Sequence, residues 1–233
     1  MDTRARDNAG SAVQLTRPLP RLYLVSDDAV VSETGFMERA CAALAEGRFH
    51  CALQLRAHEL TGERFCGLAR RLRRATAETG SSLWINDRID VAMAVRADGV
   101  QLGQRSIEPD VARRLLGRTP WIGCSVHSAN EARWASADLM ILGNIYRTGS
   151  HPSREPLGLD ELRRATLGGQ PIIAIGGITP QRVAEVVRSG AWGVAVLSGV
   201  WRASDPAEAV REYLSAIDAA VIHSAASDRA EDD

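Results

Sequence analysis

This sequence has no long apolar run and no excess of charge of one sign. It also has few cysteines. No stretch approaches the roughly 20 consecutive apolar residues of a membrane span, and no secretory signal is visible, so a cytoplasmic protein is expected. The 28 basic residues nearly balance the 29 acidic ones, leaving a net charge of −1. That balance gives no electrostatic reason to expect nucleic acid or a membrane surface as partner. The 4 cysteines have no metal-ligand spacing. Cys41, Cys51 and Cys66 fall on apolar helix or strand positions and Cys124 on a strand end, so they read as reduced thiols. Aromatic residues make up 5% of the chain. Trp84, Trp121 and Trp192, in or beside strands, read as packing residues.

What is present is a globular composition, 45% hydrophobic and 24% charged over 233 residues, compatible with one barrel-sized domain. Residues 1–20 read as a flexible lead-in and 222–233, rich in Ala, Ser and Asp, as a flexible tail. Between them, over 21–221, short apolar runs alternate with helical periodicity. The strands are expected at Arg21–Val25, Cys51–Arg56, Leu83–Asn86, Gly99–Leu102, Trp121–Cys124, Leu139–Leu142, Ile172–Ile175 and Val194–Leu197. Helices follow each of them, the last over Pro206–Ile217. Continuous apolar runs suit strands covered on both faces. A doubly wound sheet would usually show a Gly-rich loop after the first strand, and Val25-Ser26-Asp27-Asp28 is not one. The expected fold is α/β, a (β/α)8 TIM barrel.

The stretch PIIAIGGITPQRVAEVVRSGAWGVAVLSGVW, Pro171–Trp201, organises the rest. Its two strands end at Gly176-Gly177 and Ser198-Gly199. Thr179 suits a helix N-cap, Pro180 the first helical position and Gly190 a C-terminal cap. Two strand ends side by side, each leading into a helix, can gather unpaired amides into a phosphate site after the last two barrel strands. Polar residues also stand at the other strand ends. They are Gln54, Arg56 and His58; Asn86 and Asp87; Gln101 to Ser106; Ser125 and His127; and Thr148, Ser150 and His151. Asp87 also sits where the N-cap of a helix starting near Ile89 would be.

The segments LYLVSDD, QLRAHE, INDRIDVAMAVRADGVQLGQ, IGCSVHS, ILGNIYRTGSH, IAIGGITP and GVAVLSGVW together resemble the thiamine phosphate synthase/TenI superfamily over about 21–217. The resemblance implies thiamin biosynthesis and offers two chemistries. The synthase branch joins an aminopyrimidine pyrophosphate to a thiazole phosphate and uses Mg²⁺ held by two aspartates, plus lysines for the leaving pyrophosphate. Only one of those aspartates is matched here, as Asp87. The second position reads Gly103-Gln104-Arg105-Ser106, the lysine positions are His58 and His151, and a usual histidine is Gln101. The TenI-type thiazole tautomerase branch binds a carboxythiazole phosphate and moves a proton, without metal, through the histidine of an S-V-H-S motif. Here that motif is Ser125-Val126-His127-Ser128, and imidazole suits proton transfer near neutral pH.

The departures therefore point to an isomerase with His127 as acid/base and no cofactor. Gln54, Arg56, His58, Asn86, Ser125, Thr148, Ser150 and His151 would bind the substrate, and Gly176, Gly177, Ser198 and Gly199 the phosphate. Two alternatives stand beside it. One is a synthase with a remodelled Mg²⁺ site at Asp87, the other a non-catalytic barrel binding a thiamin-pathway phosphate. The partner implied is a small phosphorylated thiazole, and the resemblance leaves a homodimer open.

Overall fold

The computed structural model describes residues 18–150 and 153–231. Eight strands form one closed parallel barrel in chain order. They are β1 (Leu22–Val25), β2 (Cys51–Leu55), β3 (Ser82–Asn86), β4 (Gly99–Leu102), β5 (Trp121–Val126), β6 (Leu139–Gly143), β7 (Ile172–Ile175) and β8 (Gly193–Val196). β8 closes on β1 with Leu22 opposite Val194. The helices of the outer layer are α1 (Asp28–Ser32), α2 (Phe36–Gly47), α3 (Gly62–Thr79), α4 (Ile89–Val95), α5 (Pro109–Leu116), α6 (Ala129–Trp134), α7 (Gly158–Thr166), α8 (Pro180–Arg188), α9 (Ser198–Trp201) and α10 (Pro206–Glu231). The TIM-barrel expectation is met.

Successive strand residues face opposite ways, and two cores result. Outward residues such as Leu24, Leu53, Leu83 and Val100 pack against the helix ring. Tyr23, Ala52, Trp84, Leu139, Ile173 and Ala195 point inward and fill the lower barrel. Trp84 is fully buried there, edge-on to Tyr23 at 5.2 Å between ring centroids. A Cβ on Gly99 would lie 2.6 Å from its indole, so a bare backbone on β4 makes the room.

Caps fix several helix starts. Asp27 accepts from the Val30 amide at 2.9 Å and Ser128 from the Glu131 amide at 3.1 Å. Thr179 occupies the N-cap position of α8 and Pro180 its first turn, but the Thr179 side chain makes no capping hydrogen bond. Gly190, at φ +93°, follows the end of α8 as expected. The amino end of the barrel is tied by repeated ion pairs. Asp98 accepts from the Leu83 amide and from Arg73, both at 2.8 Å. Asp138 does the same for the Ile122 amide and Arg113. This end is built for stability, as is usual in barrels.

Two boundaries depart from the sequence expectation. α10 runs to Glu231, well past Ile217, because its later residues are rich in alanine, the strongest helix former. It therefore crosses into the segment read as a tail from residue 222. The lead-in 1–20 lies outside the described residues except for 18–20. No helix among the described residues is long and apolar enough to cross a membrane.

Candidate functional site

At the carboxyl end of the barrel the inward positions turn polar. Gln54 on β2 is buried, and its Nε2 donates to Asn86 Oδ1 on β3 at 3.0 Å. Asn86 Nδ2 donates in turn to Asp87 Oδ2 at 2.8 Å. Asp87 stands in a left-handed conformation, φ +59°, which aims its carboxylate across to the loop after β4. There its Oδ1 accepts from the Gly103 amide at 3.1 Å and from the Ser106 hydroxyl. Asp87 is thus not the N-cap of α4: Arg88 holds that position, without a side-chain cap. Its carboxylate instead joins two strand ends.

On the next strand, β4, Gln101 stands in register with Asn86, and its Nε2 donates to Ser125 Oγ on β5 at 3.0 Å. Gln101 is fully buried, and its Oε1 lies where a Cβ of Gly123 would be. His127 follows Ser125 by two residues and is half-buried. Its Nδ1 lies 2.9 Å from the Gly143 carbonyl, which can only accept, so Nδ1 carries the proton and Nε2 the lone pair. The His127 amide is held by Glu131 Oε2 at 2.9 Å. These bonds give the ring one tautomer and one orientation. Arg154 Nη1 approaches it at 3.4 Å from Nδ1 and 3.5 Å from Nε2.

The β2 end is shaped by a residue that the sequence did not single out. Asp28 Oδ1 accepts from the His58 and Glu59 amides, both at 2.7 Å. Burial works to raise its pKa, but those two amides and the nearby His58 and Arg56 outweigh it and hold the carboxyl below the usual range. Arg56 is half-buried and His58 exposed. No ion pair joins Arg56 to Asp87 among the described residues. The only hint of Asp28 was the second acid of Ser26-Asp27-Asp28.

Gly176 and Gly177 end β7 at φ +101° and +65°. A Cβ on Gly177 would lie 2.5 Å from the Arg147 carbonyl, so no other residue fits this turn. Ser198 and Gly199 open α9 at the end of β8. Among the described residues, the amides of Gly177, Ser198 and Gly199 donate to no backbone carbonyl. Thr148 is half-buried and Ser150 exposed in the loop after β6, and the Ser150 amide donates to Thr148 Oγ1 at 3.4 Å. His151 lies outside the described residues. The arrangement offers free amides on one side, a polar relay with one carboxylate on the other, and an oriented imidazole between. Beside it, outside the strands, a cavity of about 650 Å³ runs from Ser106 and Ser125 to Cys124 and Glu131.

Comparison with known proteins decides the family. A family model described as thiamine monophosphate synthase matches residues 22–200. The chain belongs to that family. It is 39% identical over 195 residues to a thiamine-phosphate synthase of Moorella thermoacetica, covering 82% of this chain and 92% of the relative. A thiamine-phosphate synthase of Methanoregula boonei is also 39% identical, over 198 residues, with 82% and 90% covered. Among solved structures, thiamine phosphate pyrophosphorylase from Pyrococcus furiosus superposes with a TM-score of 0.75 at 32% identity, covering 86% of this chain and 96% of that one. Family membership supports an enzyme of thiamin biosynthesis. These relatives carry the synthase name, so the tautomerase expectation finds no support in them and the transferase alternative fits better.

Proposed function

We propose that this chain is a thiamine-phosphate synthase, a transferase that joins an aminopyrimidine pyrophosphate to a thiazole phosphate. The observation that carries the reading is the 39% identity to proteins of that name over 82% of the chain. In this reading the amides of Gly177, Ser198 and Gly199, with Gly176 shaping their turn, bind the thiazole phosphate. Thr148 and Ser150 face it from the loop after β6. Gln54 and Asn86 orient the pyrimidine pyrophosphate, and Arg56 offers a planar fork of donors to a phosphoryl oxygen.

This reaction class calls for Mg²⁺. The described residues contain no group of three acidic, His or Cys side chains able to hold a metal. They do fit an ion shared with the substrate, since Mg²⁺ often takes one or two carboxylates plus phosphate oxygens and water. Asp87 would hold it, with the Ser106 hydroxyl beside it. When bound there it would neutralise charge on the leaving pyrophosphate.

A second reading, thiazole tautomerase, is favoured by one observation: a hydroxyl, Ser106, touches Asp87 where a second carboxylate is expected. His127 Nε2 would then move the proton. Incubating the two heterocycle phosphates with and without Mg²⁺ separates the readings. Metal-dependent thiamin phosphate formation is expected. If none forms, while a carboxythiazole phosphate is isomerised by wild type and not by His127→Ala, the synthase reading is lost.

A further inference from the structure

We infer that Arg154, in the loop between β6 and α7, is a second cation, beside Arg56, that receives the leaving pyrophosphate. The inference rests on the synthase reading above. The chain contains no lysine, and all 28 basic residues are arginines. A fixed positive charge at the barrel mouth must therefore come from arginine, wherever a loop can bring one.

Three of the arginines near the mouth have partners of their own. Arg88 is paired with Asp90 at 2.6 Å. Arg147 lies 3.9 Å from Glu155. Arg182 donates to the Gly177 carbonyl at 2.7 Å and stacks 4.4 Å from the Tyr146 ring centroid. Arg154 is exposed, and among the described residues no carboxylate lies within ion-pair distance of it. Its polar neighbour is the His127 ring, at 3.4 and 3.5 Å. Those distances are at the limit of an N–H···N bond, and Nδ1–H is already given to Gly143. The guanidinium is thus poised over the mouth on a weak contact, with most of its five donors unspent.

An arriving phosphoryl group is a far better acceptor, since charge-assisted bidentate contacts are shorter and stronger than a long contact to imidazole. As the C–O bond to pyrophosphate breaks, its electron pair goes to the leaving oxygen, and the thiazole supplies the pair for the new bond. Arg154 donates to the oxygen where charge gathers. Its neighbour His127 sits two residues beyond Ser125 on β5, so the ligand would be met from the β5–β6 side, two strands round the barrel from Asp87 at the end of β3.

The test is calorimetric binding of inorganic pyrophosphate with Mg²⁺, and separately of the thiazole phosphate, to wild type, Arg154→Ala, Arg154→Lys and Arg147→Ala. Arg154→Ala should weaken pyrophosphate roughly tenfold, the scale of one lost charged hydrogen bond, with the thiazole phosphate unchanged. Arg154→Lys should recover part of the loss, and Arg147→Ala should behave as wild type. The residue is exposed, so an unaltered melting temperature is the folding control. Unchanged pyrophosphate affinity in Arg154→Ala, an equal loss of both ligands, or no pyrophosphate binding by wild type at millimolar concentration would overturn the inference. Arg154-dependent pyrophosphate binding by a wild type that forms no thiamin phosphate would sink the synthase reading and leave this contact standing.

Discussion

Ser106 shows how much one side chain can change at this mouth. Its hydroxyl donates to Asp87 Oδ1 and also accepts from the Gly103 amide at 2.6 Å. Ser106→Asp would place a second carboxylate against the first, at a cost on the order of 1 kcal/mol at this half-buried, solvent-facing position. For a chain of this size that is a fall of about 2–4 °C in Tm. Millimolar Mg²⁺ should restore it, whereas wild-type Tm should respond much less. An equal Mg²⁺ response in both proteins would refute this account of the site. Asp28 supports a pH prediction. Its carboxyl is depressed in the folded state, so the stability it adds is present above the unfolded pKa of about 3.9 and is lost as pH falls through the folded value. Asp28→Ala should cost about 1 kcal/mol at pH 7 through two lost amide bonds. The gap from wild type, read by urea denaturation, should narrow below about pH 4. A gap that is constant from pH 7 to pH 3 would show that the charge is immaterial.

At the scale of elements, α9 and α10 brace the glycine turns after β7 and β8. Tyr213 on α10 donates to the Ile178 carbonyl at 2.9 Å, directly after Gly176-Gly177. Burial first, and then Glu212, push its phenol up to about 12, so it stays a donor across the working pH range. Its oxygen occupies the space that a Cβ on Gly199 would need. Gly199→Ala should therefore destabilise by about 1–3 kcal/mol as an overpacked site, and combining it with Tyr213→Phe should relieve part of that. Strict additivity of the two in thermal unfolding would contradict the packing account. This contact also explains what sequence could and could not disclose. The strands were legible because buried parallel strands are short unbroken apolar runs, and Gly176-Gly177 because only glycine suits that turn. The path of the Asp87 carboxylate was not legible. An Asp before a helix has a local use as a cap, and only the left-handed backbone at 87 and the approach of Gly103 and Ser106 divert it. Likewise Arg154 lay seven residues past Arg147 in a loop without periodicity. Its distance to His127 is a tertiary fact.

Over the whole molecule, the barrel is a sealed lower half that supports a polar upper half. Trp84 plugs the floor beside its register partner Gln54, and its indole needs the bare backbone of Gly99 on β4, while a Cβ on Gly123 of β5 would lie 3.1 Å from its ring. The floor therefore depends on three adjacent strands keeping register, Trp84 opposite Gly99 and Gly99 opposite Trp121. If the plug is what positions the polar layer, enlarging its neighbour should be costly in proportion to the indole's size. Gly99→Ala alone should destabilise by about 1–3 kcal/mol. Trp84→Phe alone should also destabilise, by leaving a void. Together they should cost less than their sum, with a coupling of about 0.5–3 kcal/mol from a double-mutant cycle in urea. Ligand binding should follow the same cycle, because Asn86 stands two residues beyond the plug on β3 and Gln54 is the plug's register partner on β2. A cycle that closes additively in both stability and affinity would mean the floor and the mouth are independent, and the barrel would then be a passive frame for its loops.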